Sequence, residues 1–421
     1  MRQPIIFSTI RNYSLSAFTS DALAGFTVAM VAIPLSLAIA IASGAPPETG
    51  LVTAIVGGFL ISAFGGSRVQ IGGPTGAFIV VVYSVIADHG FDGLVLATLM
   101  AGAMLVIAGF FRAGRLIAYV PEAVINGFTI GIAIIIATSQ LKDFFGLSVD
   151  ALPAEFIEKT IALWEARASL NWAAVLAGLA TIAVIVSARH LFPHFPGLIV
   201  AIFAVSASVS LFALPIETIA GRFGELQATL PAPSLPDFSW ARVEELFPSA
   251  IVIAFLAGVE SLLSALVADR MIDDQHRPNA ELTAQGVANI GSALFAGLPA
   301  TGAIARTATN IRAGGLTPVA GMVHAVIVLA VMLFAAPYAG MMAMPALAGL
   351  LMITAWNMSE PHKWPEYARA RGSDQLLLIL TLLLTVFIDL TVAIGVGVAV
   401  GLALRLSRRP TIPSDWTPPE R

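Results

Sequence analysis

The chain has 421 residues, 57% of them hydrophobic and 11% charged, with a mean hydropathy of +0.88. Soluble domains carry about 25% charged residues, so a soluble globular fold is excluded and an integral membrane protein is indicated. The net charge of −4 decides nothing further, while the absence of cysteine excludes disulfides, thiolate metal sites and cysteine nucleophiles.

The opening MRQPIIFSTIRNYSLSAFTSD has a polar break before the first long apolar run and no small-residue cleavage site, so 1–20 reads as a cytoplasmic segment and not as a signal peptide. Beyond it, apolar runs bounded by glycine, proline and charge predict about fourteen helical segments. They fall near 21–42, 49–65, 74–87, 92–111, 118–138, 171–189, 196–214, 248–268, 280–297, 302–313, 317–336, 338–356, 374–389 and 391–407. The alternation that marks a membrane β-barrel is absent, so the backbone must be satisfied within helices. The fold class is therefore an all-α polytopic membrane protein. A polar loop, 215–247, separates seven segments within 21–214 from seven within 248–407, and 408–421 forms a short tail.

An even count returns both termini to one side. With that side cytoplasmic, only five of the 22 Lys and Arg residues fall outside: Lys142, Lys159, Arg167, Arg222 and Arg242. The same outer loops carry acids such as Asp143, Asp150 and Glu217. The distribution supports the spans and places the chain in the cell inner membrane with both termini cytoplasmic.

Two short matches indicate an internal repeat. Thr75-Gly76-Ala77 opens the third segment and Thr301-Gly302-Ala303 the tenth, 226 positions later (301 − 75). The stretch from Tyr119 through Gly131 resembles that from Ala343 through Ala355, with Pro121 and Pro345 spaced by 224 positions (345 − 121). This pairs segments 1–7 with 8–14, and because seven is odd the two repeats are expected to be inverted.

Gly72-Gly73-Pro74 and Gly297-Leu298-Pro299 precede the two shortest segments, about 14 and 12 residues, or roughly 21 and 18 Å of helix. Neither spans alone. Inversion aims the two half-helix N-termini at each other near the midplane, each offering unpaired amides and the positive end of a dipole. Such a gap suits an anion. The candidate binding residues are Gly73, Pro74, Thr75, Gly76 and Ala77 with Thr301, Gly302, Ala303 and Ile304. Pro74 is expected in the first turn, where no donor is lost, and Thr301 as an N-cap. A Cβ at Gly73 or Gly302 is expected to stand between amides and anion. The competing reading is a pair of ordinary loops, which makes the shortness and the matched positions coincidences.

Other polar residues fall within the spans. Arg306 lies one turn into the tenth segment, where a guanidinium costs at least about 2.5 kcal/mol unless it faces protein or water. It reads as a fixed positive charge that draws an anion, or else as a residue snorkelling to the cytoplasmic surface. Glu260, deep in the eighth segment, matches Pro34 in the repeat and has three open roles: a proton or cation coupling site, a salt-bridge partner of Arg306, or a structural carboxylate. Ser261 and Ser264 follow it as further coupling candidates, although serines in membrane helices commonly bond carbonyls. His324 is expected to be a satisfied packing residue, and Asp389 to lie in an outer turn. Asn279, Glu281, Gln285 and Asn289 form a stripe that reads best as interhelical hydrogen bonding. The histidines form no HExxH pair, no GxxxxGK[ST] motif is present, and no hydrolase constellation appears. An enzyme, a cofactor and a nucleic-acid partner are not expected.

RPNAELTAQGVANIGSALFAGLPATGAIARTATNIRAGGLTPVAGMVHA (277–325), AGFTVAMVAIPLSLAIAIASGAPPETGLVTAIVGG (24–58) and GGPTGAF (72–78) closely resemble the sulfate permease (SulP) family, whose animal relatives include pendrin and prestin. The resemblance covers 15–408. It implies fourteen segments in two inverted repeats, a core of segments 1–4 and 8–11, a gate of 5–7 and 12–14, substrate between segments 3 and 10, and an elevator-like movement. Three departures stand out. Leu35 replaces a glutamine common in the first segment, Ala303 and Ala305 replace serines in the tenth, and 408–421 is too short for the cytoplasmic STAS domain of most bacterial members. The implied function is secondary transport of a small inorganic anion, sulfate first, as a homodimer in the lipid bilayer. Alternatives are a Na+- or H+-coupled bicarbonate or dicarboxylate transporter, a nucleobase transporter of similar fold, or a weakly coupled channel or exchanger.

Overall fold

The computed structural model describes residues 3–115, 121–149, 152–191, 197–388 and 390–407. Of the positions named above, Tyr119, Asp150, Asp389 and the tail 408–421 lie outside the described residues. The longer helices and the strands in chain order are α1 Leu15–Ala42, α2 Pro47–Phe64, β1 Gly72–Gly73, α3 Ile79–Phe110, α4 Glu122–Phe145, α5 Phe156–Glu165, α6 Trp172–Leu191, α7 Gly197–Leu211 and α8 Trp240–Ile272. They continue as α9 Pro278–Leu294, β2 Thr301–Gly302, α10 Ile304–Arg312, α11 Val319–Gly340, α12 Met344–Met358, α13 Gly372–Phe387 and α14 Leu390–Ser407. Seven helices among the described residues are long and apolar enough to cross a membrane, and several shorter apolar helices accompany them. The protein is a multi-pass, all-α membrane protein.

Local chemistry sets the helix ends. The Ser14 hydroxyl accepts from the Ala17 amide at 3.1 Å to open α1, and the Ser239 hydroxyl accepts from Arg242 at 3.3 Å to open α8. That cap starts α8 eight residues before the apolar run begins, a polar turn that hydropathy does not register. Segments predicted at 74–87 and 92–111 join within α3, where Gly90 holds φ 71° and ψ 178° and breaks the helix in two. α5, an amphipathic helix in the loop after α4, was not among the predicted segments.

Packing sorts the helices into two groups. α3 lies on α8 and α9, α11 on α1 and α2, and α10 on α1 and α8. α4 lies on α12 and α13, α6 on α12 and α7, and α13 on α14. The α3–α9 contact depends on small residues, as close helix pairs in membranes do. A Cβ on Gly286 would stand 2.6 Å from the Gly102 carbonyl oxygen, and one on Gly102 would stand 2.8 Å from the Gly286 carbonyl oxygen. Gly286→Val is therefore expected to lower stability by about 1–3 kcal/mol, read as a lower melting temperature in detergent. Gly372→Ala, with nothing within 4 Å of its Cβ, is expected to change stability by less than about 0.5 kcal/mol.

Between α2 and α3, and again between α9 and α10, the chain unwinds inside the first group. The two unwound stretches cross and pair antiparallel, Gly72 opposite Gly302 and Gly73 opposite Thr301. Unwound backbone survives in a membrane protein only when protein or a cavity satisfies it, and each strand supplies the other's partners. Helices clamp the rest. Asn289 donates to and accepts from Ala300 at 2.8 and 2.9 Å, Ser292 donates to the Leu298 carbonyl at 2.6 Å, and Thr53 accepts from the Leu298 amide at 2.6 Å. Thr53 begins a π-helical stretch, Thr53–Gly57, whose wider turn brings its hydroxyl to the loop.

Candidate anion site

The crossed strands lead into two helix starts. A 3-10 turn, Gly76–Phe78, begins α3, and α10 begins at Ile304 behind Ala303 in extended conformation. Two expectations are corrected here. Thr301 is not an N-cap: it lies in β2, and its hydroxyl meets the Ser261 hydroxyl at 2.6 Å and donates to the Ala257 carbonyl at 3.1 Å. Pro74 is not in a first turn but precedes the 3-10 turn, and its carbonyl is an acceptor.

The supply of free amides is also narrower than expected. Gly302 donates to the Ser261 hydroxyl at 3.0 Å and Ala303 to the Ile71 carbonyl at 2.8 Å. The first-turn amides of Ile304, Ala305 and Arg306 precede any intrahelical acceptor. Ile304 and Ala305 are exposed, and Ala77 and Glu260 are half-buried, whereas Gly73, Pro74, Thr75 and Gly76 are buried. Across from this surface, a Cβ on Gly76 would meet Met358 at 3.0 Å and Ile136 at 3.6 Å, residues of α12 and α4 in the second helix group. The open ground thus lies between the two groups, at the positive end of the α10 dipole.

Arg306 does not snorkel. Only 1% exposed, it turns inward and donates to the Pro74 carbonyl at 2.9 Å and to the Ser36 hydroxyl at 3.3 Å. Its Nε and Nη1 have no partner among the described residues. The guanidinium lies directly behind β1, because a Cβ on Gly73 would come within 2.3 Å of Nη1. A full positive charge, matched by two neutral acceptors, therefore backs the exposed amides without reaching into the open ground itself. Ser36 was not a predicted contact; it adjoins Leu35 in the IPLSL stretch, 270 residues from Arg306.

Glu260 accepts from the Thr75 hydroxyl at 2.8 Å and forms no ion pair with Arg306 among the described residues. The direct salt bridge considered from sequence is thereby set aside. Ser261 joins β2 to α8, and Ser264 faces the Thr307 hydroxyl at 3.4 Å. Gln70, missed in the sequence, donates to the Ser261 carbonyl at 3.1 Å, and its Nε2 would stand 1.4 Å from a Cβ on Gly302. A side chain at Gly302 would therefore strike Gln70 and not the anion. The polar stripe on α9, expected to bond between helices, bonds instead to connecting backbone and within α9: Glu281 accepts from the Gly66 amide and from Gln285, both at 2.8 Å, and Asn279 accepts from the Gly114 amide at 3.2 Å. His324 is buried as expected, but neither ring nitrogen has a partner among the described residues.

Residues 18–381 match the sulfate permease family. The chain belongs to that family. It is 42% identical over 373 residues to the putative sulfate transporter YvdB of Bacillus subtilis, covering 88% of this chain and 70% of that protein. It is 33% identical over 342 residues to the bicarbonate transporter BicA of Picosynechococcus, covering 78% of this chain and 60% of that protein. The chain thus spans between three fifths and seven tenths of the length of these relatives. Among solved structures, the transmembrane domain of a cyanobacterial BicA superposes with a TM-score of 0.80 at 32% identity, covering 91% of this chain and 98% of that one. SLC26A9 superposes with a TM-score of 0.88 at 19% identity over 96% of this chain and 68% of that one, a likeness of fold.

Proposed function

We propose that this sulfate permease family member is a secondary transporter of a small inorganic anion, sulfate first, held at the exposed first turn of α10 opposite Ala77. The observation that carries the reading is the buried, half-satisfied Arg306 behind a pair of crossed strands. No carboxylate lies within ion-pairing distance of it among the described residues; Glu260 acts on it only at longer range, which leaves part of its field to a substrate. In this reading Ile304 and Ala305 supply amides, Gly73, Pro74, Thr75, Gly76, Thr301, Gly302 and Ala303 shape the crossing, and Arg306 supplies charge. Both termini are cytoplasmic, the pairing of Gly73 with Thr301 reflects inverted repeats over 21–214 and 248–407, and the first helix group slides against the second like an elevator. Assembly as a homodimer belongs to the same reading. The similarity to BicA supports bicarbonate as the second substrate. Uptake of labelled sulfate, bicarbonate and fumarate into proteoliposomes, with and without a Na+ or proton gradient, tests the proposal. Sulfate accumulation supports it, and transport of none of the three overturns it.

Glu260 is the proposed coupling group, with Ser261 and Ser264 beside it. Glutamine keeps an oxygen to accept from Thr75, so Glu260→Gln removes charge while leaving that bond available. Its expected result is sulfate binding within about threefold of the parent and loss of gradient-driven accumulation. Accumulation at the parental level would remove Glu260 from coupling.

A further inference from the structure

A cavity of about 820 Å³ opens between the two helix groups on the face where α4 ends and α5 sits, the face proposed to be extracytoplasmic. Its walls include Ile79, the first residue of α3, so it reaches the edge of the candidate site. Two of its three cations are occupied. Arg222 is held by Asp143 at 2.6 Å and Glu217 at 2.5 Å, and the Lys142 ammonium donates to the Val149 carbonyl. Lys159 differs. It lines the cavity from α5 and is only 4% exposed, yet its ammonium has no carboxylate or carbonyl partner among the described residues. It lies 5.1 Å from the centroid of the Tyr83 ring, whose hydroxyl is tied to the Leu152 carbonyl at 2.6 Å. Asp88 and Glu155 also line the cavity, and neither is ion-paired with Lys159.

A ring face attracts an ammonium without neutralising it. Tyr83 therefore positions the charge of Lys159 and leaves it available to a ligand in the cavity. Tyr83 is one turn beyond Ile79 on α3, roughly 6 Å along the helix, so an anion leaving Lys159 moves down this wall to the first turn.

We propose that Lys159 is an outer recruiting site for the transported oxyanion, a station occupied before the amides of Ile304 and Ala305. The inference rests on the transport reading above. In proteoliposomes, Lys159→Gln is expected to raise KM for external sulfate about fivefold, the worth of one unit charge at about 4 Å in water. It should also flatten the dependence of KM on ionic strength, and Lys159→Arg should restore both. Parental KM and salt dependence in Lys159→Gln would overturn the proposal, as would a lower maximal rate at unchanged KM, which marks a packing residue.

A second readout does not depend on transport or on a variant folding. The only lysines are Lys142, Lys159 and Lys363, so mass spectrometry can follow amine modification of Lys159 in the native protein. External sulfate is expected to slow modification of Lys159 and leave Lys363 unaffected. Equal modification with and without sulfate would overturn the site even if uptake is normal. Protection without uptake would instead count against the transport reading alone.

Discussion

Arg306→Met is expected to weaken sulfate binding by about two orders of magnitude while the protein remains folded. Methionine fills much of the guanidinium's volume, so the substitution chiefly removes the charge. At an effective dielectric of about 20, unit charges roughly 6 Å apart interact by about 3 kcal/mol, a factor of about 100 in affinity. Folding should suffer less, because the acceptors left behind, the Pro74 carbonyl and the Ser36 hydroxyl, are neutral. Losing a neutral bond costs about 1–3 kcal/mol, partly offset by no longer burying a cation. Arg306→Lys keeps the charge and is expected to recover part of the affinity. Binding of labelled sulfate to purified protein, beside a melting curve, separates the two effects. Parental affinity in a folded Arg306→Met protein would contradict an electrostatic role.

Gly73→Val is expected to abolish measurable binding by displacing that same guanidinium. Gly73 holds φ 148°, a conformation that side-chain-bearing residues rarely adopt, and its Cβ would lie 2.3 Å from Nη1 of Arg306. Backbone strain of about 1–3 kcal/mol adds to loss of the aligned charge. Gly302→Val should fail differently: its Cβ would collide with the buried Gln70 amide at 1.4 Å, so a lower melting temperature and poor insertion are expected. Gly401→Val, which would meet Pro121 at 2.6 Å in the second helix group, should perturb packing and leave intrinsic binding close to the parent. Tight binding by Gly73→Val would show that the crossed strands do not set the site.

The two breaks, GGP and GLP, were legible in sequence because glycine and proline interrupt an apolar pattern that otherwise favours helix. The matched Thr-Gly-Ala stretches pointed to their meeting, and the register of Gly73 with Thr301 is that meeting observed. What stayed hidden was which polar groups consume one another. Thr301 looks like a cap locally, but its hydroxyl is used by α8, and the Gly302 amide is taken by Ser261. Ser36 and Gln70 act on residues 270 and 191 positions away, separations on which helical periodicity is silent. Arg306 was placed on the right segment, but its direction depends on an acceptor, the Pro74 carbonyl, that every residue type possesses. His324 shows the converse: an apolar span argues for packing, and only the surrounding helices reveal that its ring nitrogens find no side-chain partner among the described residues.

In the proposed site a tetrahedral oxyanion rests on the first-turn amides of α10 with Arg306 behind them. Anomalous diffraction from crystals grown with selenate in place of sulfate tests it in one measurement. A selenium peak is expected within hydrogen-bonding distance of the Ile304 and Ala305 amides, between the first turn of α3 and α10. A protein that transports sulfate, yet binds selenate elsewhere and shows no peak at those amides, would contradict it.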